Sequence, residues 1–373
     1  MVSSSEFVSQ GHPDRTCDSI ASYILDEYLR HDPKTRFAME VQMKDNICNL
    51  AGEVTSHWHP TENWIAELAR EAIRKVGYTA EYASKWPYCA TLNADNVVVN
   101  NFIGQQSPDI ARGVDREGWG DQGCFMGMAT NEKEYCYMPR DKYFANVIGT
   151  SLYQAALSGE APIGLDIKVL VSIKDEHTIE QVVVAAPMNA IHSISAKGFI
   201  KGVVDSILER HNYKLNELIV NGTGAYVVHS TVGDAGVVGR KLAVDFYGLN
   251  CPIGGGTTWG KDGTKADVTL NLYARYRSLK TILARGGVFD KVYTKIGCCI
   301  GKSKCLLSQE DQDHKVFNEE TIDIIPSETI KLFGLDGSVP NMFWSLCKNG
   351  LFNYIDNIAV DHADRMHIDY AIS

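Results

Sequence analysis

The chain has no stretch near the roughly 18 to 20 apolar residues that a membrane-spanning helix needs, no basic-then-apolar leader after Met1, and no Cys-x-x-C pair among its ten cysteines. These absences set aside a membrane protein, a secreted disulfide scaffold and a zinc ribbon, and they lead to the expectation of a cytoplasmic protein with reduced thiols. Basic charge is also scarce. With 36 Lys and Arg against 46 Asp and Glu, the formal net charge is −10, the wrong sign for a protein that coats nucleic acid. Strand–helix alternation is missing too, which argues against a doubly wound parallel sheet. What remains is a chain of 373 residues, 45% hydrophobic and 22% charged, with the composition of a globular protein long enough for two or three domains.

The pattern along the chain is mixed α+β. Apolar residues at helical spacing mark helices over 14–31, 62–76, 141–158, 196–211 and 267–286. Runs bounded by turn residues mark strands at 36–42, 48–55, 88–93, 96–102, 166–174, 180–186, 217–220, 291–300 and 303–308. Asp32-Pro33 stops the first helix and Gly77 closes the second. Three successive units of similar size result, at 1–104, 121–231 and 232–373. Between the first two lies 105–120, a loop rich in Gly, Asp and Gln, of a length that marks functional segments. The units hint at a repeat, although no repeated words prove one.

Ser9-Gln10-Gly11-His12-Pro13-Asp14-Arg15 places an imidazole, a carboxylate and a guanidinium at the start of the first helix. Proline suits the first helical position, and the free amides and helix dipole there favour an anion. Taken alone, this is an ordinary helix start with a surface histidine. Gly255 to Lys261 fits G-x-x-x-x-G-K, but Asp262 stands where a P-loop needs Ser or Thr for magnesium. The glycine-rich backbone with Lys261 and Lys265 still suits phosphate. Asp121 lies between small residues, Asp234 precedes Arg240 and Lys241, and Asp267 opens a helix. Singly these are turns with solvated charges. Together they offer cations for phosphate and carboxylates for magnesium, which takes oxygen ligands and keeps several waters. Cys298, Cys299 and Cys305 lack zinc-site spacing. Asp361, His362, Asp364, His367 and Asp369 read as a solvated end of chain rather than a metal site.

The words Gly-His-Pro-Asp-Arg, Gly-Gln-Gln-Ser-Pro-Asp-Ile, Gly-Asp-Gln-Gly, Ala-Thr-Asn-Glu, Gly-Asp-Ala-Gly-Val-Val-Gly-Arg-Lys, Asp-Phe-Tyr-Gly, Gly-Gly-Gly and Gly-Lys-Asp-Gly-Thr-Lys-Ala-Asp follow one another between Ser3 and Gly301. In that order they resemble the methionine adenosyltransferases, also called S-adenosylmethionine synthetases. The resemblance implies three similar α+β domains with approximate threefold pseudo-symmetry. It also implies a homodimer with interfacial active sites, pairing into tetramers being left open, and ATP and L-methionine as substrates. By the same resemblance, the methionine sulfur attacks ribose C5′, and the departing triphosphate is cleaved to pyrophosphate and phosphate. His12, Lys168, Arg240 and Lys261 are the implied catalytic residues, and Asp166, Tyr226, Asp234 and Lys241 join them in binding ATP. Glu53, Gln106, Asp121, Asp234 and Lys265 match methionine contacts. Asp14 and Asp267 match ligands of Mg2+, two ions per site, and Glu40 matches a K+ ligand.

The chain departs from that pattern in places. Ala225 replaces an arginine before Tyr226, itself a family Phe, and Arg15 replaces a lysine, which is no neutral exchange. Pro187-Met188-Asn189 stands where the family has a Gln-His pair, the loop after Gln106 is short, and the late Ala-Tyr-Gly-His-Phe-Gly word is absent from the divergent segment 332–373. Two other readings therefore stand beside the synthetase: a non-catalytic ATP- or S-adenosylmethionine-binding regulatory paralogue, and a triphosphate hydrolase.

Overall fold

The fold, seen in a computed structural model that describes residues 2–104 and 117–360, is built from three units that exchange strands. The first unit is β1 (Ser3–Val8), α1 (Pro13–His31), β2 (Arg36–Lys44), β3 (Ile47–Thr55), α2 (Glu62–Val76) and β4 (Val98–Gly104). The second is β5 (Gly123–Thr130), α3 (Arg140–Ser158), β6 (Lys168–Asp175), β7 (Thr178–Ala185), α4 (Ser193–Arg210) and β8 (Lys214–Val220). The third is β9 (Gly236–Val237), α5 (Ala266–Ala284), β10 (Lys291–Cys298), β11 (Lys304–Glu310) and β12 (Val316–Asp323), followed by α6 (Pro326–Leu332) and α7 (Met342–Asn349).

No lead strand joins its own hairpin. β1 pairs antiparallel with β6, β5 with β10, and β9 with β2, so each unit passes its first strand to another around a closed ring. Three four-stranded sheets result, ordered β1-β6-β7-β8, β12-β11-β10-β5 and β4-β3-β2-β9. This exchange is the physical form of the threefold pseudo-symmetry. Each unit therefore shares its sheet with a neighbour. In the third unit β11 and β12 are instead joined by a short turn and run antiparallel. The helices α2 and α4 carry the chain back so that β3–β4 and β7–β8 run parallel.

Helix α1 is buried along most of its length. The helical stripe of Cys17, Ile20, Ala21, Ile24, Leu25, Tyr28 and Leu29 is buried, and so is the polar stripe of Asp14, Asp18, Ser22 and Asp26. Gly77 ends α2 in the left-handed conformation, with φ at 110°. The segment 88–93 forms no strand. The Leu92 N–H is taken at 3.2 Å by Ser230 Oγ, and the Ala94 N–H by the Tyr78 carbonyl at 3.0 Å, which leaves no ladder to join. Strands β1, β5, β9 and β12 and helices α6 and α7 carry no clear periodic signal in the sequence. Among the described residues no helix is long and apolar enough to cross a membrane.

Helix α5 lies directly on β5. A Cβ on Gly127 would stand 2.1 Å from the carbonyl carbon of Ala274. Gly127→Ala is therefore expected to lower unfolding stability by about 2 kcal/mol or more. Gly198 in α4 has nothing within 4 Å of the same position, so Gly198→Ala should raise it by about 0.5–1 kcal/mol. Denaturant titration of both variants checks the pair.

Candidate active site

The first functional group forms where α1 begins. His12 is the N-cap, and its Nδ1 accepts the Asp14 N–H at 3.1 Å, so a neutral ring carries its proton on Nε2. Burial, then the nearby charge of Lys241, brings its pKa down to about 3; Lys168 and Arg15 act in the same sense and Asp14 opposes them. His12 is thus an uncharged donor set among cations. Asp14 accepts the Val237 N–H at 2.9 Å, is bonded by Lys241 and lies 3.5 Å from Arg240 Nε. Burial would raise its pKa, but the lysine and the backbone donor prevail and hold it below the usual carboxylate range. These bonds follow from the exchange of β9, whose Gly236 leaves room for the Pro13 carbonyl.

Lys168, at the start of β6 opposite Val8, connects this group to Asp166. The buried Asp166 accepts the Ser230 N–H at 3.0 Å, and the Tyr226 phenol lies beside it. Burial raises its pKa to about 6. Asp234 is exposed nearby, with Oδ1 accepting the Ala235 N–H at 2.8 Å.

A second group surrounds the glycine-rich segment. Lys261 Nζ meets Asp267 Oδ2 at 2.5 Å, and the Gly256 N–H reaches Asp267 Oδ1 at 2.7 Å. The backbone of this segment is pinned along β2: Met39 N–H bonds the Gly260 carbonyl at 2.8 Å, and Phe37 N–H bonds Asp262 Oδ2 at 2.7 Å. Asp262 thus has a structural task that a P-loop residue would lack. Lys265 lies 3.7 Å from Asp262. Asp121 is exposed on the approach to β5, its carbonyl accepting the Cys298 thiol at 3.5 Å. Glu40 and Glu53 stand exposed on the outward face of the β2–β3–β4 sheet. Gln106, most of the loop 105–120 and the residues from Asp361 onward lie outside the described residues.

Two features of this region do not show in the sequence. Asp18 accepts the Gly239 N–H at 2.7 Å and Arg15 Nη1 at 3.2 Å, fixing the loop that carries Arg240 and Lys241. Its i, i+4 spacing from Asp14 is the available signal. Arg15 faces away from the phosphate-binding candidates: it pairs with Asp18 and Asp245 and lies 5.6 Å from the Trp259 ring centre. Among the described residues, no three His, Cys, Asp or Glu side chains gather as a metal cage. Asp14 and Asp267 each offer hard carboxylate oxygens, a set that fits magnesium completed by water and phosphate.

The three strand-exchanging units define the class, an α+β protein of threefold pseudo-symmetric build. Models of the S-adenosylmethionine synthetase N-terminal and C-terminal domains match residues 1–108 and 228–335. The chain is 34% identical over 318 residues to an S-adenosylmethionine synthase of Sulfurovum sp. (strain NBC37-1), covering 81% of this chain and 78% of that one. It is 35% identical over 311 residues to the S-adenosylmethionine synthase of Helicobacter pylori (strain G27), covering 80% and 77%. A solved structure described as an unusual S-adenosylmethionine synthetase from Campylobacter jejuni superposes with a TM-score of 0.85 at 27% identity, over 98% of both chains. The chain belongs to the S-adenosylmethionine synthetase family, a family of transferases.

The depressed basicity of His12 gives a direct check. Between about pH 3 and 6.5 the unfolded chain binds a proton that the folded ring refuses, so this residue's contribution to stability is full above pH 6.5 and falls on acidification. Nitrogen-15 NMR of the imidazole should show the neutral, Nε2-protonated form unchanged from pH 8 to pH 5; a titration near pH 6.5 would contradict it.

Proposed function

We propose that the chain makes S-adenosylmethionine from ATP and L-methionine by attack of the methionine sulfur on ribose C5′, then cleaves the departing triphosphate to pyrophosphate and phosphate. The observation that carries this reading is the uncharged, buried His12 at a helix N-terminus among Lys168, Lys241 and Arg240. A thioether needs no general base, since its sulfur already has a free lone pair. The protein's task is to position the reactants and stabilise charge on the leaving triphosphate. His12 donates from Nε2 to a phosphate oxygen, and Lys168, Arg240, Lys241 and Lys261 grip the chain of phosphates. Tyr226 lies along the adenine, and Asp166 holds the nucleotide from beneath. Asp234 takes the ribose hydroxyls or the methionine amine, and Glu53, Gln106, Asp121 and Lys265 receive methionine.

Asp14 and Asp267 are the residues that would hold magnesium, which would supply positive charge to the triphosphate; Glu40 would contribute to a potassium site. The two groups flank different parts of one strand, with β9 pairing at Gln42–Met43 and Lys261 bridging to Ala38. Four residues of strand separate them by about 13 Å. A homodimer that sets one chain's His12 group against its partner's Lys261 group would close the site. The β2–β3–β4 outer face, with Ile47, Val98 and Phe102 exposed around the Asn49–Asn100 hydrogen bond, supports such pairing.

The test is incubation with ATP, methionine, Mg2+ and K+, following S-adenosylmethionine by mass spectrometry together with pyrophosphate and phosphate. All three products are expected. Phosphate alone would identify a triphosphate hydrolase, and bound nucleotide without products a regulatory paralogue. His12→Ala and Lys261→Ala should each lower kcat by about 100-fold or more with methionine KM changed far less, as befits groups acting on the transition state. A variant with unchanged kcat would lose its assigned role.

A further inference from the structure

Behind the turn that carries His12 lies a cavity of about 580 Å³, between α3, α7 and residues 350–360. That volume is within the range of sites for small organic molecules, about 300–1,000 Å³. Its walls are mostly apolar, with Phe7, Tyr143, Val147, Trp259, Leu351 and Phe352 among them. The buried Gln10 and Arg15 line it, so an occupant would touch residues on either side of His12 in the sequence.

The charges around the cavity are unequal once internal pairs are assigned. Asp245 is bonded by Arg15 and by Trp259 Nε1 at 2.7 Å. Asp356 is clamped by two nitrogens of the buried Arg275, both at 2.8 Å. Both lining carboxylates are therefore neutralised. Three lysines remain. Lys142, deeply buried, gives two of its hydrogens to the carbonyls of Glu6, at 3.0 Å, and Val244. Lys133 and Lys348 are exposed at the rim and make no ion pair among the described residues. A buried ammonium with a hydrogen to spare, two rim lysines and an aromatic wall complement a single kind of guest.

We infer that this cavity is a binding site for an organic monoanion with an apolar body, an aromatic or medium-chain carboxylate or sulfonate. The apolar part occupies the space between α3 and Phe352, and the anionic head faces the lysines. Such binding does not depend on the proposed chemistry of the His12 group, and it is read without any measurement of turnover.

The probe is 8-anilinonaphthalene-1-sulfonate, titrated by fluorescence against the full chain, with octanoate as competitor and uncharged N-phenyl-1-naphthylamine as the matched control. Saturable binding of one dye per chain, displaced by octanoate and stronger than that of the uncharged dye, is expected. Thr150 lines the cavity and is exposed, so Thr150→Trp should occupy part of it without disturbing the core and weaken dye binding by about tenfold or more. Lys133→Glu with Lys348→Glu should weaken binding by about fivefold. Dye binding untouched by Thr150→Trp in a protein of unchanged melting temperature would overturn the inference, as would equal affinity for the uncharged dye. Should Thr150→Trp fail to fold, Asn146→Trp, one helical turn earlier on the same wall, is expected to weaken dye binding instead, and full dye binding by that folded variant would overturn the inference equally.

Discussion

A helix buried along most of its length has to find partners for its polar side chains, and in this protein that constraint falls on α1. Its three aspartates are buried. Each one holds a distant segment: Asp14 holds Val237 and Lys241, Asp18 holds Gly239, and Asp26 holds the N–H groups of Phe343 and Trp344 at 3.0 and 2.7 Å. The third unit's β9 strand, its phosphate-binding candidates and the start of α7 are thus placed by one helix near the chain's beginning. A buried carboxylate left without such donors costs more than an ordinary hydrogen bond returns. The pairs therefore enforce the arrangement as much as they stabilise it.

The same burial sets the charge states. Desolvation raises Asp26 to about 7 and Asp166 to about 6, and it lowers His12 to about 3 and His229 to about 4. Each of these groups is pushed toward its neutral form. Asp14 goes the other way, because a lysine and a backbone N–H outweigh the loss of water. His229 shows how the neutral state is used structurally. Its Nδ1 bonds the Val227 carbonyl at 2.7 Å and its Nε2 bonds the Tyr82 hydroxyl at 2.7 Å, while Tyr82 Oη accepts the Leu165 N–H at 3.2 Å. That chain of bonds joins the residue before Asp166 to the segment that delivers Ser230, held at φ 60°, to the same carboxylate.

Local order is legible in the sequence wherever it is local in cause. Pro13 and Asp32-Pro33 bound α1 within a residue, Gly77 ends α2, and the β2–β3 hairpin follows from its alternation. The exchange of strands is not legible, since Ser3-Ser4-Ser5 carries no apolar alternation and β9 is only two residues long. The polar stripe of α1 illustrates the limit well. Asp14, Asp18, Ser22 and Asp26 at four-residue intervals have the spacing of a solvated helix face, and the backbone N–H groups that Asp14, Asp18 and Asp26 accept from lie more than 200 residues away. Ordered words locate the His12 and Lys261 groups because the proposed chemistry asks for glycine, lysine and aspartate there. They do not reveal that Arg15 turns inward to Asp18 and Asp245, because identity alone does not fix where a long side chain points.

Lys241 rests on Asp14 and Lys261 on Asp267, so the cations assigned to phosphate and the carboxylates assigned to magnesium neutralise each other first. A polyphosphate arriving alone must draw each lysine away and leave a carboxylate uncovered, while a divalent cation arriving alone must expel the lysine from its carboxylate. Arriving together, they supply both replacement partners, and the exchange leaves no charge unpaired. Linkage then requires that each strengthen the binding of the other by the same factor. On the proposed reading, the two lysine–carboxylate pairs at the starts of α1 and α5 would favour a metal–nucleotide chelate over either component, by charge balance alone.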